Sequence, residues 1–199
     1  MLNASDRPIL VNSGFGNQSG SYNLAYRVLG LALTPSLAMM RASTKRLFHE
    51  GDQGIRGPFR VARKLSVPTA AIGIVIGSAL WIGAPLIRIV IDDKFPEVVS
   101  VIRWLAVLPF IKSLQFVFGN ALDASANQIW RFRLTLSAAA LNLVLNLILI
   151  PRYSWRAAVG TTVLAESLLT ITTIAASWLL ARRDARLESN AAPTNPAAV

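Results

Sequence analysis

Five stretches of about twenty predominantly apolar residues dominate this sequence, each long enough to cross the hydrocarbon core of a bilayer as a helix. The first runs from Tyr22 to Met40, interrupted by Arg27, and the second, Val67 to Ile91, carries no charge before Arg88. The third, Val98 to Phe118, holds Arg103 and Lys112. The fourth, Phe132 to Ile150, is uncharged after Arg133 and ends at Pro151, and the fifth, Ala157 to Leu180, contains Glu166 alone. A buried parallel strand needs only about four to eight residues, so runs this long and this rich in Leu and Ala predict helices. The fold class is therefore an all-α integral membrane protein, a multi-spanning bundle of about five full transmembrane helices. Pro8 to Gly20 is too short to span. It reads as a partial N-terminal helix, the last turns of one whose beginning is missing, followed by a turn at Gly16-Asn17-Gln18-Ser19-Gly20. Three regions are expected: 1–20, a truncated helix end and outer turn; 21–182, the membrane bundle; 183–199, a disordered cytoplasmic tail.

Charge separates the remaining classes. Only 15% of the 199 residues are charged and 53% are hydrophobic, whereas soluble domains carry about 25% charge. The balance of 20 Lys+Arg against 10 Asp+Glu gives a formal +10. A nucleic-acid binder could reach that charge, but not with so apolar an average. The cations instead follow a topology. Arg41, Lys45, Arg46, Arg56, Arg60, Arg63, Lys64, Arg131, Arg133, Arg182, Arg183 and Arg186 fall on one side, against Arg7, Lys94, Arg152 and Arg156 on the other. The richer side is cytoplasmic by the positive-inside rule, which places the C-terminus inside and Asp92-Asp93 in an outer loop. The bilayer and its anionic lipids are the expected partners, with no nucleic acid.

Catalysis finds little footing. With no cysteine, disulfides, thiolate metal sites and a Cys nucleophile are excluded, and the single His49 argues against a His-rich metal site. The chain has neither a phosphate-cradling Gly-rich loop followed by Lys-Ser/Thr nor paired carboxylates at membrane depth. Met1 to Asp6 lacks the basic and apolar regions of a secretory signal. We expect no catalytic residue, no metal and no cofactor.

Polar residues at bilayer depth are more informative. A charge there costs at least ~2.5–3.5 kcal/mol and needs a reason. Arg88, Arg103 and Lys112 lie where they could snorkel to the headgroups, and so could Arg27, a turn or two inside the first span, whereas Glu166 is central and too short to reach water. Positions i, i+4, i+7 and i+11 share a helix face. Such faces read Asn23, Arg27, Gly30, Thr34 in the first span and Thr135, Ala139, Asn142, Asn146 in the fourth. In the fifth the face reads Thr162, Glu166, Thr170, Thr173, Ser177. The stripes either hydrogen-bond between packed helices or line a watery cavity for polar cargo. In the second case Arg27 attracts an anion, and Glu166 pairs with a base or exchanges protons. Pro35, Pro85 and Pro109 each free a carbonyl and permit a kink. Gly57 to Leu65 alternates basic and apolar residues, as a short interfacial helix or a solvated loop end would.

These residues carry a resemblance. Asp6-Arg7-Pro8-Ile9-Leu10 followed by Gly20-Ser21-Tyr22-Asn23-Leu24-Ala25-Tyr26-Arg27 resembles an Asp-Arg helix end leading to a helix that opens G-x-Y-x-x-A-x-R. That pattern is shared by polysaccharide flippases of the multidrug/oligosaccharidyl-lipid/polysaccharide exporter superfamily. Leu33-Thr34-Pro35-Ser36-Leu37 is similar to their apolar-Pro-Ser-Leu segment. Leu149-Ile150-Pro151-Arg152-Tyr153-Ser154, running on to Thr162, resembles L-I-P-x-Y-G-x-x-G-A-A-x-A-T, with Ser154 and Arg156 or Ala157 where the family has glycines. The resemblance covers roughly residues 5–182 and implies the second six-helix bundle of a two-bundle fold around a central cavity. The missing N-terminal lobe, or a second membrane chain, would complete it. The implied function is flipping of undecaprenyl-diphosphate-linked oligosaccharide across the bacterial inner membrane for polysaccharide or lipopolysaccharide export. Arg27 matches the position where lipid II flippases keep a cavity arginine and is the implied diphosphate contact. Asn23, Thr34, Arg103, Asn142, Asn146 and Glu166 complete the candidate cavity. Three alternatives stand beside it: a drug/cation antiporter of the same superfamily, a membrane enzyme of glycan assembly, and a structural subunit.

Overall fold

The structure, a computed structural model, describes residues 6–52, 54–91 and 95–191. Asp92, Asp93 and Lys94 of the expected outer loop and residues 192–199 of the tail lie outside the described residues, as do the side chains of Arg7 and Arg88. Among the described residues all regular structure is helical. The helices are α1 (Asp6–Asn12), α2 (Gly16–Ala32), α3 (Thr34–His49), α4 (Arg56–Ile91), α5 (Val98–Leu105), α6 (Leu108–Ala124), α7 (Gln128–Tyr153) and α8 (Trp155–Ala191).

Among the described residues four segments are long and apolar enough to cross a membrane: Arg56–Ile87, Val98–Ala124, Gln128–Tyr153 and Trp155–Leu187. The second of these is α5 and α6 in series. Tyr22–Met40, expected as a fifth, is not among them, because Arg27 and the Thr34-Pro35-Ser36 step dilute it. It folds as α2 and α3 meeting at Leu33. The break has a simple cause. Proline lacks an N–H and fits best in the first turn of a helix, which is where Pro35 sits in α3 and Pro109 in α6. Backbone bonds continue on both sides of the first break, from Leu33 N–H to the Leu29 carbonyl (3.0 Å) and from Leu37 N–H to the Leu33 carbonyl (3.1 Å). Pro68 and Pro85 remain inside α4.

Three expectations change at the helix ends, the first being that Gly16 to Gly20 is not a turn but the opening of α2. Gly57 to Leu65 is neither a separate interfacial helix nor a loop, but the opening turns of α4. At the other end α8 continues through Ala191, so 183–191 is helix rather than disordered tail. The helix formers Ala, Arg and Leu dominate Ala181-Arg182-Arg183-Asp184-Ala185-Arg186-Leu187. Asp184 also anchors the segment, accepting the Ile55 backbone N–H at 3.1 Å.

Two larger apolar clusters hold the bundle, with a smaller one of Ile55, Leu122 and Ala181 beside them. One joins Leu10, Tyr22, Ala84, Val101, Ile102, Ile150 and Trp155, and the other Met40, Leu47, Val61, Ala62, Val117 and Phe118. The α4 members Ala62 and Ala84 are about 33 Å apart along the helix, close to the ~30 Å hydrocarbon thickness, so the clusters sit near opposite ends of a membrane-sized bundle. Only 17% of the most apolar window of α4, and 22% of that of α7, is buried inside the chain. Ile82, Val67 and Phe132 stand 76%, 73% and 64% exposed. An apolar surface of this extent requires lipid or another helix against it.

Close packing of α4 on the α5–α6 joint depends on two glycines. A Cβ at Gly73 would lie 2.7 Å from Phe110 Cα, and one at Gly77 would lie 2.4 Å from the Ala106 carbonyl oxygen. Four residues apart, they form the small-xxx-small face that lets membrane helices approach. At the α7–α8 joint, Ser154 adopts φ 57°, ψ −140°, a left-handed backbone that favours glycine.

Candidate functional site

The polar stripes of the last two spans close into a buried seam. Asn142, Asn146, Thr162 and Ser177 are fully buried, and Glu166 and Thr173 almost so. The Thr161 hydroxyl donates to Asn146 Oδ1, tying α8 to α7. Further along α8, Thr170 Oγ1 lies 3.4 Å from the Ile111 carbonyl oxygen and Ser177 Oγ 3.4 Å from that of Phe118, both on α6. Ser113 of α6 in turn donates to Ser36 of α3 at 3.2 Å. Both hydroxyls are buried near the Pro35 step. The stripes thus follow the interhelical hydrogen-bonding alternative, and Thr135 of the α7 stripe faces outward instead.

At the centre of the seam is an ion pair. Lys112 Nζ lies 2.5 Å from Glu166 Oε1, with side chains 18% and 2% exposed. Glu166 is nine residues beyond Ala157, about 14 Å along the helix and so near mid-membrane. Of the two roles considered for Glu166, pairing with a base is the one observed. Lys112 does not snorkel toward an inner end, as its place in the sequence suggests. It turns to this carboxylate, because an unpaired buried carboxylate costs more than the lysine gains on its path to water. Glu166 Oε2 is buried without a hydrogen-bond partner among the described residues. The pair joins α6 to α8 at the level where Ser36 and Ser113 join α3 to α6.

The first-span stripe behaves differently. Helix α2 buries Tyr22, Ala25 and Leu29, with Leu33 buried just beyond it, and Arg27, Gly30 and Thr34 lie on the open side. Asn23 is half-buried, its Oδ1 without a hydrogen-bond partner among the described residues. Leu31 beside them is 76% exposed. Arg103 lies elsewhere, at a groove of about 1150 Å³ between α4, α5–α6 and α8 that also includes Trp81, Trp104, Phe110 and Ser167. Its guanidinium sits 5.8 Å from the Trp81 ring centroid, a cation–π contact suited to an interfacial arginine.

The seven candidate residues therefore divide. Asn142, Asn146 and Glu166 are inside the seam, Asn23, Arg27 and Thr34 belong to the open face of α2–α3, and Arg103 edges an apolar groove. Lys112 is not among the site residues the sequence pattern selects, and only its position at bilayer depth marks it. The glycine pair is a second omission, although two glycines four apart in an uncharged run are a usable signal. Among the described residues, no three His, Cys, Asp or Glu side chains gather as a metal ion would require. Compared with known proteins, the chain matches no family model, no curated relative and no solved structure.

Proposed function

We propose that this chain is the C-terminal lobe of a polysaccharide flippase of the multidrug/oligosaccharidyl-lipid/polysaccharide exporter superfamily. It turns undecaprenyl-diphosphate-linked oligosaccharide from the cytoplasmic to the outer leaflet of the bacterial inner membrane, and makes no covalent bond. The observation that carries this reading is the open stripe Asn23–Arg27–Gly30–Thr34. In the proposed fold α2 and α3 cross the bilayer together as one broken span, where a guanidinium facing hydrocarbon would cost ~2.5–3.5 kcal/mol or more, so this face calls for a second bundle and a watery chamber between the two. A missing N-terminal lobe or a second membrane chain supplies that bundle.

The chemistry of the stripe favours an anionic cargo. Guanidinium pairs bidentately with phosphate oxygens, most strongly where water is scarce. A cationic-drug antiporter needs an available carboxylate, and the mid-membrane acid Glu166 is already held by Lys112. The motif resemblance adds support from the backbone. Ser154 stands where the family has a glycine, and its positive φ is the conformation a glycine would occupy most easily. In this reading Asn142, Asn146 and the Lys112–Glu166 pair set the shape of the lobe rather than touch the cargo. The C-terminus lies on the cytoplasmic side.

The test is genetic and chemical. Deleting this chain in its host is expected to remove surface polysaccharide and to leave lipid-linked oligosaccharide on the inner leaflet. Arg27→Ala should lower export by roughly ten- to a hundredfold, the loss of one charge-assisted contact worth about 1.5–3 kcal/mol, with the protein still present in the membrane. Normal surface polysaccharide after deletion would remove the flippase reading. Normal export by Arg27→Ala would remove only the role given to Arg27.

A further inference from the structure

We propose that the chain carries a built site for the phosphate headgroup of an anionic glycerophospholipid, formed by the opening turns of α4 and the last third of α8. A cavity of about 400 Å³ lies between them. Arg56, Arg60, Arg63 and Lys64 line it from α4, and Arg182 and Trp178 from α8. The α4 cations recur at i, i+4, i+7 and i+8, so they share one helix face. Arg182 is laid over the Trp178 ring with its guanidinium carbon 3.7 Å from the centroid. Stacking fixes the plane of that guanidinium and leaves its edge to donate.

The electrostatics point to an anion. Among the described residues lining the cavity there is no carboxylate. Asp184 of α8 accepts the Ile55 backbone N–H instead. The like charges of Arg60, Arg63, Lys64 and Arg182 around one space repel one another, and a phosphate relieves that repulsion while accepting several charge-assisted bonds at once.

Location points to a lipid. From Leu65 through Ile87 the α4 sequence is uncharged and mostly apolar, and α8 is uncharged from Ser167 through Ala181. The cavity therefore lies at the boundary of the apolar belt, with Val67 and Leu179, 73% and 58% exposed, beside it to receive acyl chains. Trp178 has the amphipathic character of an interfacial anchor. Basic pockets between membrane helices recognise lipid phosphates in this way. The inference rests on membrane insertion alone and does not depend on the flippase reading.

The test uses the full chain in nanodiscs, with native mass spectrometry to count retained lipid and titration of cardiolipin, phosphatidylglycerol and phosphatidylcholine to measure affinity. The expected result is retention of the anionic lipids over phosphatidylcholine. Combined Arg60→Gln, Arg63→Gln and Arg182→Gln should weaken it by roughly a hundredfold, about fivefold for each charge near the surface. Replacing Arg41, Lys45 and Arg46 with Gln, which removes the same charge from α3, should leave it within about twofold. Equal weakening by the two triple variants would overturn the proposal in favour of diffuse surface charge. Displacement of the lipid by inorganic pyrophosphate at equal concentration, or preference for a polyprenyl diphosphate over both glycerophospholipids, would overturn it by assigning the cavity to a soluble anion or to the transported lipid.

Discussion

Glu166→Leu alone, or Lys112→Met alone, is expected to destabilise the bundle by about 3–5 kcal/mol, while the double variant recovers most of that loss. Either single change leaves one charge stranded near mid-membrane between α6 and α8, where the partner side chains are 18% and 2% exposed. Removing both replaces an ion pair by apolar packing, which repays the lost Coulomb attraction by avoiding desolvation. Reversible unfolding in mixed micelles measures all three variants, and the double-mutant cycle isolates the coupling. Single variants within about 0.5 kcal/mol of the parent would show that the pair does not form. Export assays on the folded double variant then ask a separate question. Retained export would mean the pair only holds the helices together, and lost export would mean that its breaking and forming belongs to the transport cycle.

A second large effect is expected at Gly77. Its added methyl would meet the Ala106 carbonyl oxygen at 2.4 Å, and that oxygen is backbone, so α4 must move away from the α5–α6 joint. Gly77→Ala should cost about 1–3 kcal/mol by overpacking, and Gly77→Leu enough to prevent assembly of the bundle. Gly73→Ala should behave as Gly77→Ala does, with Phe110 Cα 2.7 Å from the new atom. Gly83 supplies the control, because nothing lies within 4 Å of its added Cβ. Gly83→Ala should be neutral or stabilising by up to about 1 kcal/mol through helix propensity alone. The same unfolding measurement reads all four. Equal behaviour of Gly77→Ala and Gly83→Ala would contradict the packing described for α4.

The helices were legible in the sequence because bilayer thickness sets a length and because a stripe at helical spacing reveals a face. Val98, Val101, Ile102 and Leu105 of α5 show that spacing, and all four are buried. Partnership was not legible. The spacing Thr162, Glu166, Thr170, Thr173, Ser177 gives the polar side of α8 but says nothing about what meets it. That partner lies on α6, with Lys112 and Glu166 54 positions apart in the chain. The same gap explains why a wet cavity lined by Asn142, Asn146 and Glu166 fits the stripes as read from the sequence, until the helices are set side by side and the seam is seen to be packed. Local rules also competed at the ends. Charge in Ala181–Leu187 suggested a solvated tail, whereas the helix propensity of the same residues and the anchoring of Asp184 by Ile55 extend α8. At Leu33 the apolar run concealed a break that Pro35 had already encoded.

Because the chain contains no cysteine, single cysteines can be placed cleanly, and labelling by a membrane-impermeant thiol reagent in the assembled protein tests the central claim most directly. Cysteines at 27, 30 and 34, on the open face of α2–α3, are predicted to react, while those at 142, 146 and 170, within the seam, stay unlabelled until the protein is denatured. Labelling of the seam positions in the native state, with silence at 27, 30 and 34, would contradict it.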